Sequence, residues 1–234
     1  MMHYVMSDIH GKYEKYLQML ELIQFCEQDK LFILGDIADR GEQPVAIYQD
    51  IMKRNNIIPI MGNHDYMALF LLDKLVTDIT EENFATGLEL EDIEDILAWI
   101  DEGGDTTIAG FQKLSIPERE KILDYIAGFD LYKIIQIQEK KFILVHAGLG
   151  HFEETKKLED YQPEDLLFTR DNPDKAYFQD KNIYVITGHT PTPYYSGKPE
   201  IYHGKNRICI DCGACFQTGR LACLCLETME EFYI

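Results

Sequence analysis

Basic residues are scarce in this 234-residue chain: 22 Lys and Arg stand against 41 Asp and Glu, a formal charge of −19. Nucleic-acid binding rests on a basic surface that replaces the counterions of the phosphates, so no nucleic-acid partner is expected. The same balance repels anionic membranes, and no apolar stretch approaches the roughly 18 residues of a membrane span. Internal repeats and low-complexity runs are also missing, which sets aside solenoids and linker-rich chains. Met1-Met2-His3-Tyr4 runs straight into an apolar segment with no signal-peptide pattern, so the cytoplasm is the expected location. With 46% hydrophobic residues the chain can bury one large core, and a single domain over residues 1–234 is expected.

What the chain does have is a set of five short apolar runs, each ending in Asp, Asn, His and Gly. They are Tyr4-Val5-Met6-Ser7-Asp8-Ile9-His10-Gly11, Phe32-Ile33-Leu34-Gly35-Asp36-Ile37-Ala38-Asp39-Arg40-Gly41 and Ile58-Pro59-Ile60-Met61-Gly62-Asn63-His64-Asp65. Phe142-Ile143-Leu144-Val145-His146-Ala147-Gly148 and Tyr184-Val185-Ile186-Thr187-Gly188-His189-Thr190 complete the set. An apolar run of four to six residues that stops at Gly reads as a buried strand entering a tight loop. Loops at strand ends gather on one edge of a sheet, where binding and catalytic groups concentrate. Any one of these motifs alone could be an ordinary turn, since Gly, Asn and Asp favour turn geometry. Together they deliver carboxylates, imidazoles and a carboxamide to a common rim, the composition of a two-metal hydrolase site.

The combination Asp8-x-His10-Gly11, Gly35-Asp36-x-x-Asp39-Arg40-Gly41, Gly62-Asn63-His64-Asp65, His146-Ala147-Gly148 and Gly188-His189-Thr190 resembles the calcineurin-like metallophosphoesterases. Within them it is similar to bacterial serine/threonine protein phosphatases of the PPP type and to the neighbouring symmetrical diadenosine tetraphosphatases. The resemblance implies two packed mixed β-sheets flanked by helices, an α/β fold, with a helical cap inserted. It also implies that Asp8, His10 and Asp36 hold one metal and that Asp36, Asn63, His146 and His189 hold the other. Two such ions can share a hydroxide and clamp the attacking and leaving oxygens of a phosphoryl group. Carboxylate and imidazole donors suit Mn, Fe, Zn or Co better than Ca or Mg. Mn²⁺ is the first expectation, with Fe or Zn as alternatives.

By the same resemblance His64 is the general acid that protonates an alkoxide leaving group, and Asp39 orients it and favours its charged form. Arg40 and Asn63 would contact the phosphate, Arg40 through a planar fork that matches two oxygens. Arg170, in Leu166-Leu167-Phe168-Thr169-Arg170-Asp171, stands where bacterial phosphatases place a second phosphate-binding Arg; the alternative is a surface Arg in a loop. Asp65 replaces the Glu usual in eukaryotic members, and Ala38 stands where a β-branched residue is common. Tetraphosphatases often carry a non-acidic residue at the place of Asp39, so Asp39 favours phosphomonoesters. The expected activity is therefore hydrolysis of phosphoserine or phosphothreonine in a protein or small phosphoester. Diadenosine tetraphosphate hydrolysis is the alternative.

Residues 73–105 hold twelve acidic side chains and one basic one, Lys74. This stretch opens the main insertion, residues 73–128, read here as a helical cap beside the rim that sets substrate choice. Ile93, Ile96, Leu97 and Ile100 form an amphipathic stripe that Gly103-Gly104 should end, and Ser115-Ile116-Pro117-Glu118 reads as a capping box for a second helix to about Ala127. Trp99, Gly103-Gly104 and Thr106-Thr107 together resemble a segment of bacterial phosphatases. Helices are also expected over 12–26, 44–53 and 65–75, and hairpin-like pairs over 131–145, 200–211 and 221–234. Cys209, Cys212, Cys215, Cys223 and Cys225 superficially suggest a thiolate site, but they lie in or beside apolar strand-like runs where Cys acts as a small hydrophobe.

Overall fold

The computed structural model describes residues 1–77 and 89–234. Part of the acidic stretch, including Asp78, Glu81 and Glu82, therefore lies outside the described residues.

Two mixed sheets form the frame. The first has the order β10-β9-β1-β2-β3, with β1 (His3–Met6), β2 (Lys30–Ile33) and β3 (Ile57–Pro59) parallel. β9 (Ala222–Cys225) pairs antiparallel with β1, and β10 (Glu231–Tyr233) with β9. The second has the order β4-β5-β6-β8-β7. There β4 (Tyr132–Ile137) and β5 (Lys140–Val145) form a hairpin, β6 (Ile183–Thr187) runs parallel to β5, and β8 (Arg207–Cys209) pairs with β6 and with β7 (Tyr202–His203). The three expected hairpin-like pairs are thus antiparallel neighbours.

Period-two alternation decides which face each strand residue serves. Val5, Phe32, Leu224, Phe142, Leu144 and Ile186 point between the sheets and form one buried cluster drawn from both. Their neighbours Tyr4, Met6, Leu31 and Ile33 point outward, under α1 (Tyr13–Leu22), α2 (Pro44–Ile51) and α3 (Asn63–Asp73). On the far side Ile143, Val145 and Val185 pack with Leu149, Tyr161, Leu166 and Tyr177. The burial of Tyr16, Leu20 and Ile23 matches the stripe expected for the first helix.

The insertion departs from its sequence reading in one respect. α4 (Leu90–Trp99) runs on as a wide turn over Ile100–Gly104, and Gly103 at φ +102° breaks the helical path at the expected glycine pair before α5 (Asp105–Phe111). The expected stripe is not the buried face: Leu97 is 57% exposed, whereas Trp99 is 2% exposed. One large ring inserted into the core outweighs a stripe of smaller aliphatics in setting the rotation of a short helix. α6 (Ile116–Ala127) follows the capping reading, with Glu118 accepting from the Ser115 N–H at 2.9 Å and from its hydroxyl at 2.6 Å. Trp99, Phe111, Ile122 and Ile126 join the same cluster as Tyr48, Ala68 and Leu72, so these helices share the main core.

Candidate metal centre

The loops that leave β1, β2, β3, β5 and β6 meet at one edge, where the two sheets come together. Asp8 and His10 follow β1; Asp36, Asp39 and Arg40 follow β2; Asn63 and His64 open α3 beyond β3; His146 follows β5 and His189 follows β6. These turns are tight enough to force unusual backbone. Of the eleven non-glycine residues with positive φ among the described residues, six are Asp8, His10, Asp36, Asp39, Arg40 and His189. Such conformations cost on the order of 1–3 kcal/mol each and cluster where function fixes side-chain direction. Gly35 at φ +85° lets the second loop lie against Gly62, and a Cβ there would overlap the Gly62 backbone. A Cβ at Gly188 would overlap Ser7 Oγ and the Asp8 carboxylate.

Two groups of donors converge, each within 4.8 Å: His10, Asp36 and His64, and Asp36, His146 and His189, with Asp36 common to both. Asn63 joins the second, its Oδ1 lying 2.8 Å from His146 Nε2 and 2.8 Å from His189 Nδ1. Asp8 stands in neither group; its carboxylate accepts the His189 N–H at 3.0 and 3.2 Å and the Ser7 hydroxyl. Every residue of the expected ligand set is thus at this rim and buried.

The chemistry of the donors fits divalent cations. His10 Nδ1 and His146 Nδ1 face the carbonyls of Ala38 and Leu34 at 2.8 and 2.6 Å. A carbonyl only accepts, so each Nδ1 carries the proton and, in the neutral ring, each Nε2 presents a lone pair. His146 Nε2 then points its lone pair at another acceptor, Asn63 Oδ1, and the buried His189 Nε2 has no hydrogen-bond partner among the described residues. A lone pair facing an oxygen acceptor calls for a cation between them, and backbone carbonyls on the opposite nitrogen are the usual orienting shell of metal-binding histidines. Burial holds His10 well below the ordinary imidazole range, with Arg40 and His64 adding to it, and pushes His189 down to about 2. Burial also raises Asp36 well above the carboxylate range, with repulsion from Asp8 and Asp65 acting the same way. Neutral imidazoles around a carboxyl whose charge lacks compensation are what a bound metal ion would satisfy.

His64 differs from the other imidazoles. Its Nδ1 lies 2.6 Å from Asp39 Oδ2 and its Nε2 lies 2.9 Å from Arg40 Nη2. Burial lowers its pKa, but the charge of Asp36 and the hydrogen bond and charge of Asp39 outweigh it, and the net direction is upward. Asp39 is itself held from the insertion: Trp99 Nε1 donates to Oδ2 at 2.7 Å and Thr107 Oγ1 donates to Oδ1 at 2.6 Å. The Asp39 N–H donates back to Thr107 Oγ1 at 2.8 Å, and the Arg40 N–H donates to the Gly103 carbonyl at 2.9 Å. Sequence reasoning assigned no role to Trp99 or Thr107. Their only signal was the Trp-Gly-Gly-Thr spacing, which says nothing of the partner about sixty residues upstream.

Asp65 is a third residue whose part the sequence does not show. Its Oδ2 accepts from the N–H groups of Asp36 and Gly62 at 2.7 and 3.2 Å, and its Oδ1 from those of Ile37 and Ala38 at 3.1 and 3.2 Å and from the Tyr48 hydroxyl. One buried carboxylate thereby ties the β2 loop to the start of α3. Arg40 Nη1 is 2.8 Å from His10 Nε2, so the guanidinium lies over the rim. Arg170 is exposed, and its Nη1 donates to Thr190 Oγ1 at 3.2 Å, which places it beside His189. The cysteines enter neither donor group; burial raises the thiols of Cys209 and Cys212, the latter to about 12.

Two packed mixed sheets with carboxylate and imidazole donors gathered at shared strand ends define the metallophosphoesterase class. The chain belongs to the calcineurin-like phosphoesterase family, whose model matches residues 1–215. It is 32% identical over 102 residues to the symmetrical bis(5'-nucleosyl)-tetraphosphatase of Wigglesworthia glossinidia brevipalpis, a match covering 43% of this chain and 38% of that relative. The chain thus spans less than two fifths of that relative's length. Among solved structures, a putative diadenosine tetraphosphatase superposes with a TM-score of 0.65 at 17% identity, covering 100% of this chain and 92% of the other. A serine/threonine phosphatase from Saccharomyces cerevisiae gives 0.55 at 14% identity, covering 95% and 72%. These structural likenesses carry the fold. Among the described residues no helix is long and apolar enough to cross a membrane.

Proposed function

We propose that this protein is a metal-dependent phosphomonoesterase of the serine/threonine protein phosphatase type, acting in the cytoplasm on phosphorylated proteins or small phosphoesters. Asp8, His10, Asp36, Asn63, His146 and His189 would hold two divalent ions, Mn²⁺ first among candidates, with Asp36 serving both. Bound there, the ions supply the activated nucleophile and the positive charge that phosphoryl transfer requires. Arg40 and Arg170 would orient the phosphate oxygens, and Asn63 would touch both phosphate and metal. Once Arg40, whose guanidinium faces His64 Nε2 at 2.9 Å, turns to the phosphate, His64 would carry a proton on Nε2 and release it to the leaving oxygen, while Asp39 fixes the ring through Nδ1.

The observation that carries this reading is the His64–Asp39 pair at 2.6 Å, with Asp39 further held by Trp99 and Thr107. A serine or threonine oxygen leaves as a basic alkoxide and needs a proton; a nucleoside phosphate leaves as a stable anion and needs one far less. An acid oriented by a carboxylate that two further side chains anchor is therefore of most use against alkyl phosphates. We read residues 73–128 as a cap inserted in one domain of residues 1–234. The tetraphosphatase reading is favoured by the named sequence relatives and remains the alternative. Parallel assays of a phosphothreonine peptide and diadenosine tetraphosphate with Mn²⁺ separate the two. The proposal expects kcat/KM to favour the peptide, and preferential cleavage of the dinucleotide overturns it.

A further inference from the structure

A cleft of about 310 Å³ opens beside the acid couple, between α3, α4 and the segment leading to Arg170. Tyr66, Met67 and Phe70 of α3 form one wall, and Phe168 stands opposite. Trp99 lines it too, and the same indole donates to Asp39, so the cleft and the candidate site share a side chain. Its aromatic faces are not used up by the core: Phe70 is 54% exposed and Phe168 42%, and Phe70 meets Tyr66 edge-on at 4.8 Å. Among the described residues the charged part of the lining is of one sign, Asp95 and Glu102, with no cation.

We infer that this cleft binds a cationic side chain of the substrate, an arginine or lysine flanking the phosphorylated residue. The inference rests on the phosphatase reading above for the phosphopeptide, but not for the cleft's preference for a cation. Aromatic faces attract a cation through their quadrupole, and Met and Phe surfaces accept its aliphatic stem. Two carboxylates then compensate the charge. Arginine fits better than lysine, because a planar guanidinium stacks on a ring and presents paired N–H groups to a carboxylate. A phosphate or a polyphosphate chain would meet carboxylates and no cation among the described lining residues.

Matched phosphothreonine peptides with Arg, Ala or Glu at each of the three positions on either side test this with the Mn²⁺-loaded protein. At the position that reaches the cleft, Arg should exceed Ala roughly tenfold in kcat/KM, with Glu below Ala. The Asp95→Asn/Glu102→Gln double variant should bring the Arg-to-Ala ratio within about twofold. A ratio near one in the parent protein, or one that survives in the double variant, overturns the inference. Trp99 is the only tryptophan in the chain, so its fluorescence reports occupancy without turnover. Dephosphorylated Arg peptide should perturb the emission and Ala peptide should not. If no phosphopeptide is hydrolysed yet the Arg peptide still perturbs Trp99, the phosphatase reading fails and the cleft assignment stands. If adenosine perturbs Trp99 and the Arg peptide does not, the cleft belongs to a nucleobase and the inference is wrong.

Discussion

Asp39 accepts from His64, Trp99 and Thr107 on two oxygens, so the acid's orientation depends on residues far apart in sequence. His64→Ala should depress turnover of phosphoserine by about 10²–10⁴-fold, the usual cost of losing a positioned acid. With p-nitrophenyl phosphate, whose leaving group hardly needs a proton, the loss should be much smaller. Trp99→Phe and Thr107→Val should show the same leaving-group bias at smaller size, since each removes one donor from a buried carboxylate. Equal losses on both substrates would make His64 a ligand or a structural residue. Among the carboxylates, Asp36→Ala should be the most damaging to metal content, measured by elemental analysis, because Asp36 belongs to both donor groups.

At the scale of elements, the strands and their terminal motifs were legible in the sequence because both signals are local. Apolar runs of the right length stop at glycine, and only glycine lets the Gly35 loop lie against Gly62. Helix ends were legible to within a few residues, as at Ser115–Glu118, where the cap is a four-residue pattern. The burial of Trp99 rather than the Leu97 stripe was not legible, since it depends on a hydrogen bond to a residue on another element. The hub made by Asp65 was hidden for the same reason: three of its donors lie in the β2 loop and one in α2. Another long-range tie joins β1 to the turn after β9, where Glu227 accepts from the His3 N–H at 2.8 Å and faces its Nδ1 at 2.6 Å. Burial raises the Glu227 pKa, but the two bonds from His3 outweigh it and the carboxyl titrates below its ordinary range. A lowered carboxylate pKa means its contribution is complete above the unfolded value of about 4.3 and is lost as pH falls through the folded one. Glu227→Gln should therefore lower Tm at pH 6 and narrow the difference between pH 6 and pH 3; an unchanged difference would remove Glu227 from the acid response.

For the whole molecule, the metal centre and stability are linked. Buried Asp36 is repelled by Asp8 and Asp65, and compensation by bound cations should appear as resistance to heat. Free ion at a hundred times its Kd adds about 2.7 kcal/mol, roughly 5–10 °C in Tm for a chain of this size. Chelation should lower Tm and abolish hydrolysis, and Mn²⁺ should restore both. Full activity in exhaustively chelated protein would sink the metal assignment.

The pairing of β1 with β9 carries a consequence for synthesis. Residues 3–6 are made well before residues 222–225, one of their sheet partners. Until β9 arrives, that side of β1 is an open edge with unpaired N–H and C=O groups while the rest of the chain is still emerging. His189, the last of the gathered donors, is made shortly before it. While the residues between β1 and β9 are being made, the nascent chain therefore carries a bare strand edge and an unfinished donor set. That is the window in which intermolecular pairing competes with folding.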